Sequence, residues 1–112
     1  MHALLDRALP RPTAVFVFND QMAVGALHAL RERGLRVPQD MAVVGFDGIA
    51  LGAFTTPELT TVEQPCADLG KRAVELVFEL LDGTPPSPAP VTLPVRLVVR
   101  ESCGASTHRG RS

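Results

Sequence analysis

Two short apolar runs, each ending directly on polar residues, constrain the fold of this chain most strongly. Residues 14–18 combine valine and phenylalanine and are followed at once by Asn19 and Asp20. Residues 41–46 have the same character and are followed by Asp47. A continuous apolar run of this length is typical of a strand covered on both faces, as in a parallel sheet. Each strand is therefore predicted to end on hydrogen-bonding side chains.

Segments with the periodicity of a helix lie between these two strands and after them. A helix is predicted over residues 21–33 and an amphipathic helix over residues 67–81. Between them we expect a loop with a short helical turn and a strand over residues 60–63, and residues 91–100 alternate as a closing strand does. This order of elements predicts an α/β fold with an open parallel sheet. The apolar face of the first helix comprises Met22, Ala26, Ala29 and Leu30.

Three polar side chains stand at the carboxyl ends of successive predicted strands. They are Asn19, Asp47 and Gln64. Ligands of open α/β sheets bind outside the carboxyl ends of the strands, so we expect the three to meet at one cleft. Two amides and a carboxylate both donate to and accept from sugar hydroxyls, and the charged Asp47 should contribute most to selectivity. The alternative is that Asn19 and Asp20 only cap the following helix.

Composition argues against several other classes of protein. The net charge is −1 and the basic residues are scattered, so the chain has no basic stripe of the kind that binds nucleic acid. Cys66 and Cys103 form no short-spaced pair, and no histidine lies at metal-ligand spacing from a cysteine or carboxylate. No metal or other cofactor is predicted. Residues 1–7 lack the character of a secretory signal and no segment could span a bilayer, which predicts a cytoplasmic location.

An enzyme is the rival prediction from a different class. Asp47 at a strand end could accept a phosphoryl group, but such sites need further carboxylates for Mg²⁺ and a lysine on the phosphate. Only Asp20 lies near the expected cleft, and Lys71 lies on a later helix. The serines show no nucleophile-elbow pattern. We therefore predict that the chain is not an enzyme.

Four ordered blocks of sequence resemble the transcription regulators of the lactose/galactose-repressor (LacI/GalR) family, and the first block also resembles ribose-type sugar-binding proteins. The blocks are residues 14–27, 34–47, 59–65 and 93–102. The resemblance implies the periplasmic-binding-protein-like (type I) fold, with only its C-terminal portion present. Residues 1–65 would belong to the C-terminal subdomain of the effector-binding domain, residues 66–100 would be a hinge crossover helix and closing strand, and residues 101–112 a flexible tail.

The same resemblance assigns roles to particular residues. It implies that Asn19, Asp47 and Gln64 contact a small-molecule effector, for which a sugar is expected, and that Asp20 braces the cleft. It further implies a repressor that acts as a homodimer, in which effector binding shifts two subdomains and changes DNA affinity. DNA would be contacted only through a helix-turn-helix module that this chain does not contain.

Candidates for the dimer interface are Met22, Leu51 and Phe54, for which ordinary core packing is an equal alternative. Other readings of the whole chain also stay open. The nearest is a fragment of a periplasmic sugar receptor of a transporter, and another is an inactive truncated product. Neither the effector nor the target operator follows from these residues, because the same fold accepts purines and phosphorylated compounds.

Overall fold

The computed structural model describes residues 1–7 and 10–105 of the chain. Three α-helices, a short 3₁₀-helix and four strands occur among these residues. In chain order they are α1 (His2–Arg7), β1 (Ala14–Phe16), α2 (Asp20–Glu32), β2 (Ala42–Asp47), the 3₁₀-helix (Ala50–Phe54), β3 (Thr60–Glu63), α3 (Cys66–Leu81) and β4 (Arg96–Val98).

The four strands form one sheet in the order β1-β2-β3-β4. β1, β2 and β3 are parallel, as predicted, with Phe16 opposite Val44 and Asp47 opposite Glu63. β4 runs antiparallel to β3, so the sheet is mixed. The alternation of apolar residues in the closing segment predicted a strand but not its direction, because alternation sets only the face on which side chains lie.

β4 is much shorter than the predicted strand over residues 91–100. Only Arg96–Val98 pairs with β3. Pro94 has no N–H group to donate to a neighbouring strand, and β4 begins two residues after it.

The core lies between α2 and one face of the sheet. Leu30 of α2 is fully buried together with Met41, Val43 and Leu59 from the sheet side. Ala23 is also fully buried, whereas Met22, which we predicted for this face, is mostly exposed. A shift of one residue turns the helix face by about 100°, and the periodicity of residues 21–33 did not fix which of the two neighbours faces inward.

The chain divides into two compact units. The first contains Met1–Glu63 and the segment that begins at Arg96, and the second contains Gln64–Val95. In the second unit, residues of α3, among them Leu76, and of the segment 84–91, among them Val91, line a cavity of about 450 Å³. The predicted boundaries at residues 65 and 100 stay predictions.

The segment after β4 packs against the sheet as far as it is described. The Ser102 hydroxyl donates to the Val43 carbonyl oxygen at 2.6 Å and accepts from the Thr60 backbone N–H at 2.8 Å. Ser102 is fully buried, although the sequence predicted a mobile tail from Glu101 onward. A small polar residue can satisfy two strand groups at once, which composition alone does not reveal. The rest of the predicted tail, residues 106–112, lies outside the described residues.

α1 was not predicted. Its Asp6 accepts a hydrogen bond from Arg33 at 2.9 Å, and its His2 lies 3.2 Å from Glu32, so polar contacts join α1 to the end of α2. Among residues 1–7 and 10–105, no helix has both the length and the apolar character needed to cross a membrane.

Candidate functional site

Asn19 joins β1 to α2 and caps the helix. Its backbone is extended (φ −150°, ψ 169°), and its side-chain oxygen accepts a hydrogen bond of 2.8 Å from the Met22 N–H. This bond assigns the orientation of the amide, because only the oxygen can accept. The capping role that we held as an alternative is therefore real. The bond uses the side-chain oxygen and not the NH₂ group of Asn19.

Asp20 is completely buried and binds two other elements through its carboxylate. One oxygen accepts from the backbone N–H groups of Gly48 and Ile49, each at 2.9 Å. The other accepts from the hydroxyl of Thr61 on β3, at 2.6 Å. A single side chain thus connects the start of α2, the loop after β2 and the strand β3.

Gly45 makes room for this carboxylate. A Cβ atom at position 45 would lie within 2.2 Å of the Asp20 side-chain oxygen. Gly45 also stands opposite Thr61 in the register of β2 and β3. The carboxylate therefore passes over the one position of β2 that has no side chain and reaches the strand beyond it.

Asp47 ends β2 in a backbone conformation that side chains rarely adopt. Its φ is 122°, and among the described non-glycine residues no other has a positive φ. Conformations of this kind cost about 1–3 kcal/mol and occur preferentially at ligand sites, where the surrounding structure holds them in place. The next residue, Gly48, also has a positive φ, of 78°. The chain turns sharply here, and the turn directs the N–H groups of Gly48 and Ile49 toward the Asp20 carboxylate, which accepts a hydrogen bond from each.

These contacts bring two of the predicted site residues to one end of the sheet. Asn19 directly precedes Asp20, and Asp47 directly precedes Gly48, which Asp20 binds. Gln64 directly follows Glu63, the β3 residue opposite Asp47, but it belongs to the second unit of the chain. Its place at the same cleft stays a prediction, as do direct effector contacts by Asn19, Asp47 and Asp20.

Thr61, Gly45 and Gly48 surround the Asp20 carboxylate and were not predicted as site residues from the sequence. A hydroxyl residue at the register position of a glycine in the neighbouring strand is a signal that could have indicated Thr61. That signal needs the pairing of β2 and β3, which the sequence did not provide.

A separate groove of about 590 Å³ lies along β1, α1 and α2. Its lining includes Phe16, Phe18 and Met22 but neither Asn19 nor Asp47. Such an apolar lining offers few groups that could read sugar hydroxyls. Met22, Leu51 and Phe54, the candidates for a dimer interface, are all exposed, and their role stays a prediction. The described residues contain no group of three or more side chains that could hold a metal ion.

Comparison with known proteins identifies the family of this fold. Residues 1–103 match the model of the family described as "Periplasmic binding protein-like domain". The HTH-type transcriptional repressor MelR of Bacillus subtilis is 45% identical over 108 residues, which cover 94% of this chain and 31% of the repressor. The chain therefore spans about a third of the length of this curated relative.

Solved structures show the same likeness. The transcriptional regulator CelR in complex with cellobiose has a TM-score of 0.83 at 40% identity, covering 90% of this chain and 31% of CelR. The Lac repressor dimer bound to operator and an anti-inducer has a TM-score of 0.75 at 42% identity, covering 81% of this chain and 32% of the repressor. These relatives are transcriptional repressors and regulators. The chain itself belongs to the periplasmic binding protein-like domain family.

Proposed function

We propose that this chain forms part of the effector-binding domain of a transcriptional repressor and that it binds a sugar at the carboxyl ends of β1 and β2. The observation that carries the proposal is the hydrogen bonding of the Asp20 carboxylate to the N–H groups of Gly48 and Ile49. Asp20 directly follows Asn19, and Gly48 directly follows Asp47. Two polar side chains that are separated in sequence are thereby kept at one end of the sheet, where ligands of open α/β sheets bind.

The chemistry of these side chains suits a polyol. The Asn19 oxygen is engaged by Met22, so its NH₂ group is the part that would donate to a hydroxyl oxygen. Asp47 would accept from hydroxyl groups, and a hydrogen bond to a charged acceptor is worth about 1.5–3 kcal/mol. Gln64, at the end of β3, would add a second amide. The relation to CelR, whose structure contains cellobiose, supports a sugar as the effector.

Binding by purified protein tests the proposal. We expect isothermal titration calorimetry to detect binding of at least one of cellobiose, lactose and sucrose, with hypoxanthine as the comparison ligand. Asp47→Asn keeps the size of the side chain and tolerates a positive φ, but it removes the charge. We expect it to weaken sugar binding by about tenfold or more.

Asp40→Asn is the matched control, because it removes the same charge at the opposite end of β2. Arg36 lowers the pKa of Asp40 to about 2 through a side-chain hydrogen bond, so this carboxylate is charged at neutral pH. The control should leave the dissociation constant unchanged. Binding of hypoxanthine and of no sugar would refute the sugar proposal, and equal affinities of the parent and Asp47→Asn would refute the role of Asp47.

Further parts of the proposal concern the whole repressor. We infer that the effector domain is a homodimer and that it acts on DNA through a helix-turn-helix module outside these residues. The Lac repressor relative is a dimer on its operator, which supports both inferences. The relatives named above are transcriptional regulators, which favours a regulator over a transport receptor and over an enzyme.

A further inference from the structure

We propose that Thr61 is a positioning residue of the effector site: through Asp20, its hydroxyl fixes the loop that follows Asp47 and thereby the direction of the Asp47 side chain. This inference rests on the proposed function, because it gives Asp47 the role of contacting the effector. Thr61 itself is fully buried, so its proposed role is an indirect one.

Thr61 and Asp20 are joined by a short hydrogen bond. At 2.6 Å, with the hydroxyl donating to a carboxylate oxygen, it is a charge-assisted hydrogen bond of the strong kind. Both side chains are excluded from water, so neither can exchange this partner for solvent. The bond decides which carboxylate oxygen is turned toward Thr61 and which is turned toward Gly48 and Ile49.

The other carboxylate oxygen of Asp20 holds two backbone N–H groups. Gly48 and Ile49 both donate to it at 2.9 Å. Two consecutive N–H groups can share one acceptor only if the backbone between them turns, and Gly48 provides this turn with its φ of 78°. If the carboxylate rotated, at least one of these bonds would break.

The loop held by Asp20 directly follows Asp47 and restrains its backbone. A φ of 122° is costly, and it persists only where neighbouring contacts enforce it. On one side Asp47 is held by the pairing of β2 with β3, and on the other by the bonds from Gly48 and Ile49 to Asp20. Because φ sets the direction of the Cα–Cβ bond relative to the strand, the Thr61–Asp20 contact presets where the Asp47 carboxylate lies. Preset groups bind more tightly, because less ordering remains to be done on binding.

The neighbouring threonine offers a matched control. Thr60 is as deeply buried as Thr61, and its hydroxyl accepts from the Arg100 N–H at 2.9 Å. It lies on the same strand but has no hydrogen bond to Asp20 among the described contacts. Thr60→Val and Thr61→Val therefore remove the same atom from the same strand, and only the second acts on the Asp20 carboxylate.

The test combines binding with a direct measurement of the Asp47 backbone. The three-bond coupling between HN and Hα, measured by NMR, is small at a φ of 122° and large in an extended strand. In Thr61→Val we expect this coupling to rise and the affinity for the bound disaccharide of the panel above to fall about tenfold. Thr61→Ser, which keeps the hydroxyl, should retain the parent values, and Thr60→Val should lower stability while leaving both readouts unchanged.

Several outcomes would overturn the proposal. One is a Thr61→Val protein with unchanged coupling or unchanged affinity, and another is an equal loss of affinity in Thr60→Val. If Thr61→Val does not fold, Thr61→Cys replaces it, because a thiol is only a weak donor. If the parent protein binds none of the three sugars, the proposed function fails, and the Asp47 coupling alone then decides whether Thr61 sets the conformation of this residue.

Discussion

Gly48 illustrates how one residue supports the candidate site. Its φ of 78° disfavours any residue with a side chain, and a Cβ atom there would approach the Glu63 Cα atom to 2.8 Å. The second restriction is the more severe, because Glu63 belongs to β3 and its backbone cannot move without disturbing the sheet. The glycine therefore allows β3 to pass close to the loop that follows Asp47.

We predict that substitution by alanine destabilises the protein more at Gly48 than at Gly34. Gly48→Ala meets both the positive φ and the contact with Glu63, and it should lower the free energy of unfolding by about 2–4 kcal/mol. Gly34→Ala, at φ 69° with open space around the added Cβ, meets only the first and should cost about 1 kcal/mol. Urea unfolding of both variants measures the difference. Equal losses would show that Glu63 does not restrict position 48.

The segment that follows β4 is packed against the sheet, although its composition predicted a flexible tail. Ser102 and Gly104 are buried, and the backbone N–H groups of Glu101 and Ser102 both donate to the Glu58 carbonyl oxygen at 3.0 Å. The Ser102 hydroxyl lies between β2 and β3 and bonds to both. This segment contributes to holding together the two strands whose opposite ends carry Asp47 and Glu63.

Ser102→Ala tests that contribution. The substitution removes the acceptor of the buried Thr60 N–H and the donor to the Val43 carbonyl, and an unsatisfied buried group costs about 1–3 kcal/mol. We expect a loss of roughly this size or slightly more in urea unfolding. Ser87→Ala is the control, because Ser87 is exposed and accepts only a local hydrogen bond from Ala89. If the two variants were equally stable, the buried bridge would have no net value.

What the sequence could and could not predict follows from the range of the interactions involved. The strand end at Asp47 and the helix cap at Asn19 were predictable because they rest on local patterns. The predicted strand over residues 14–18 was too long, since β1 ends at Phe16, three residues before Asn19. The parallel order of β1 to β3 followed from the alternation of elements. The contact between Asp20 and Thr61 joins residues 41 positions apart and depends on strand register, so no local pattern contains it.

On the scale of the whole molecule, the exposed apolar surface of β1 is the feature with the clearest consequence. β1 is an edge strand of the described sheet, and Phe16 and Phe18, within and just beyond it, are 63% and 79% exposed. Open strand edges and apolar patches favour pairing with other chains. The surface is continuous with the groove lined by Met22, one of the candidates for a dimer interface.

We therefore predict that the purified protein self-associates and that Phe18→Lys weakens this association. A lysine introduces a charge that would have to be desolvated in any contact between strand edges, and it should shift the distribution toward monomer in sedimentation velocity at micromolar concentration. Leu81→Lys is the control, because Leu81 is 75% exposed but lies on α3 in the other unit. If the two lysine substitutions weaken self-association equally, nonspecific contacts between exposed apolar side chains explain it. If only Phe18→Lys does so, the association involves the edge of β1.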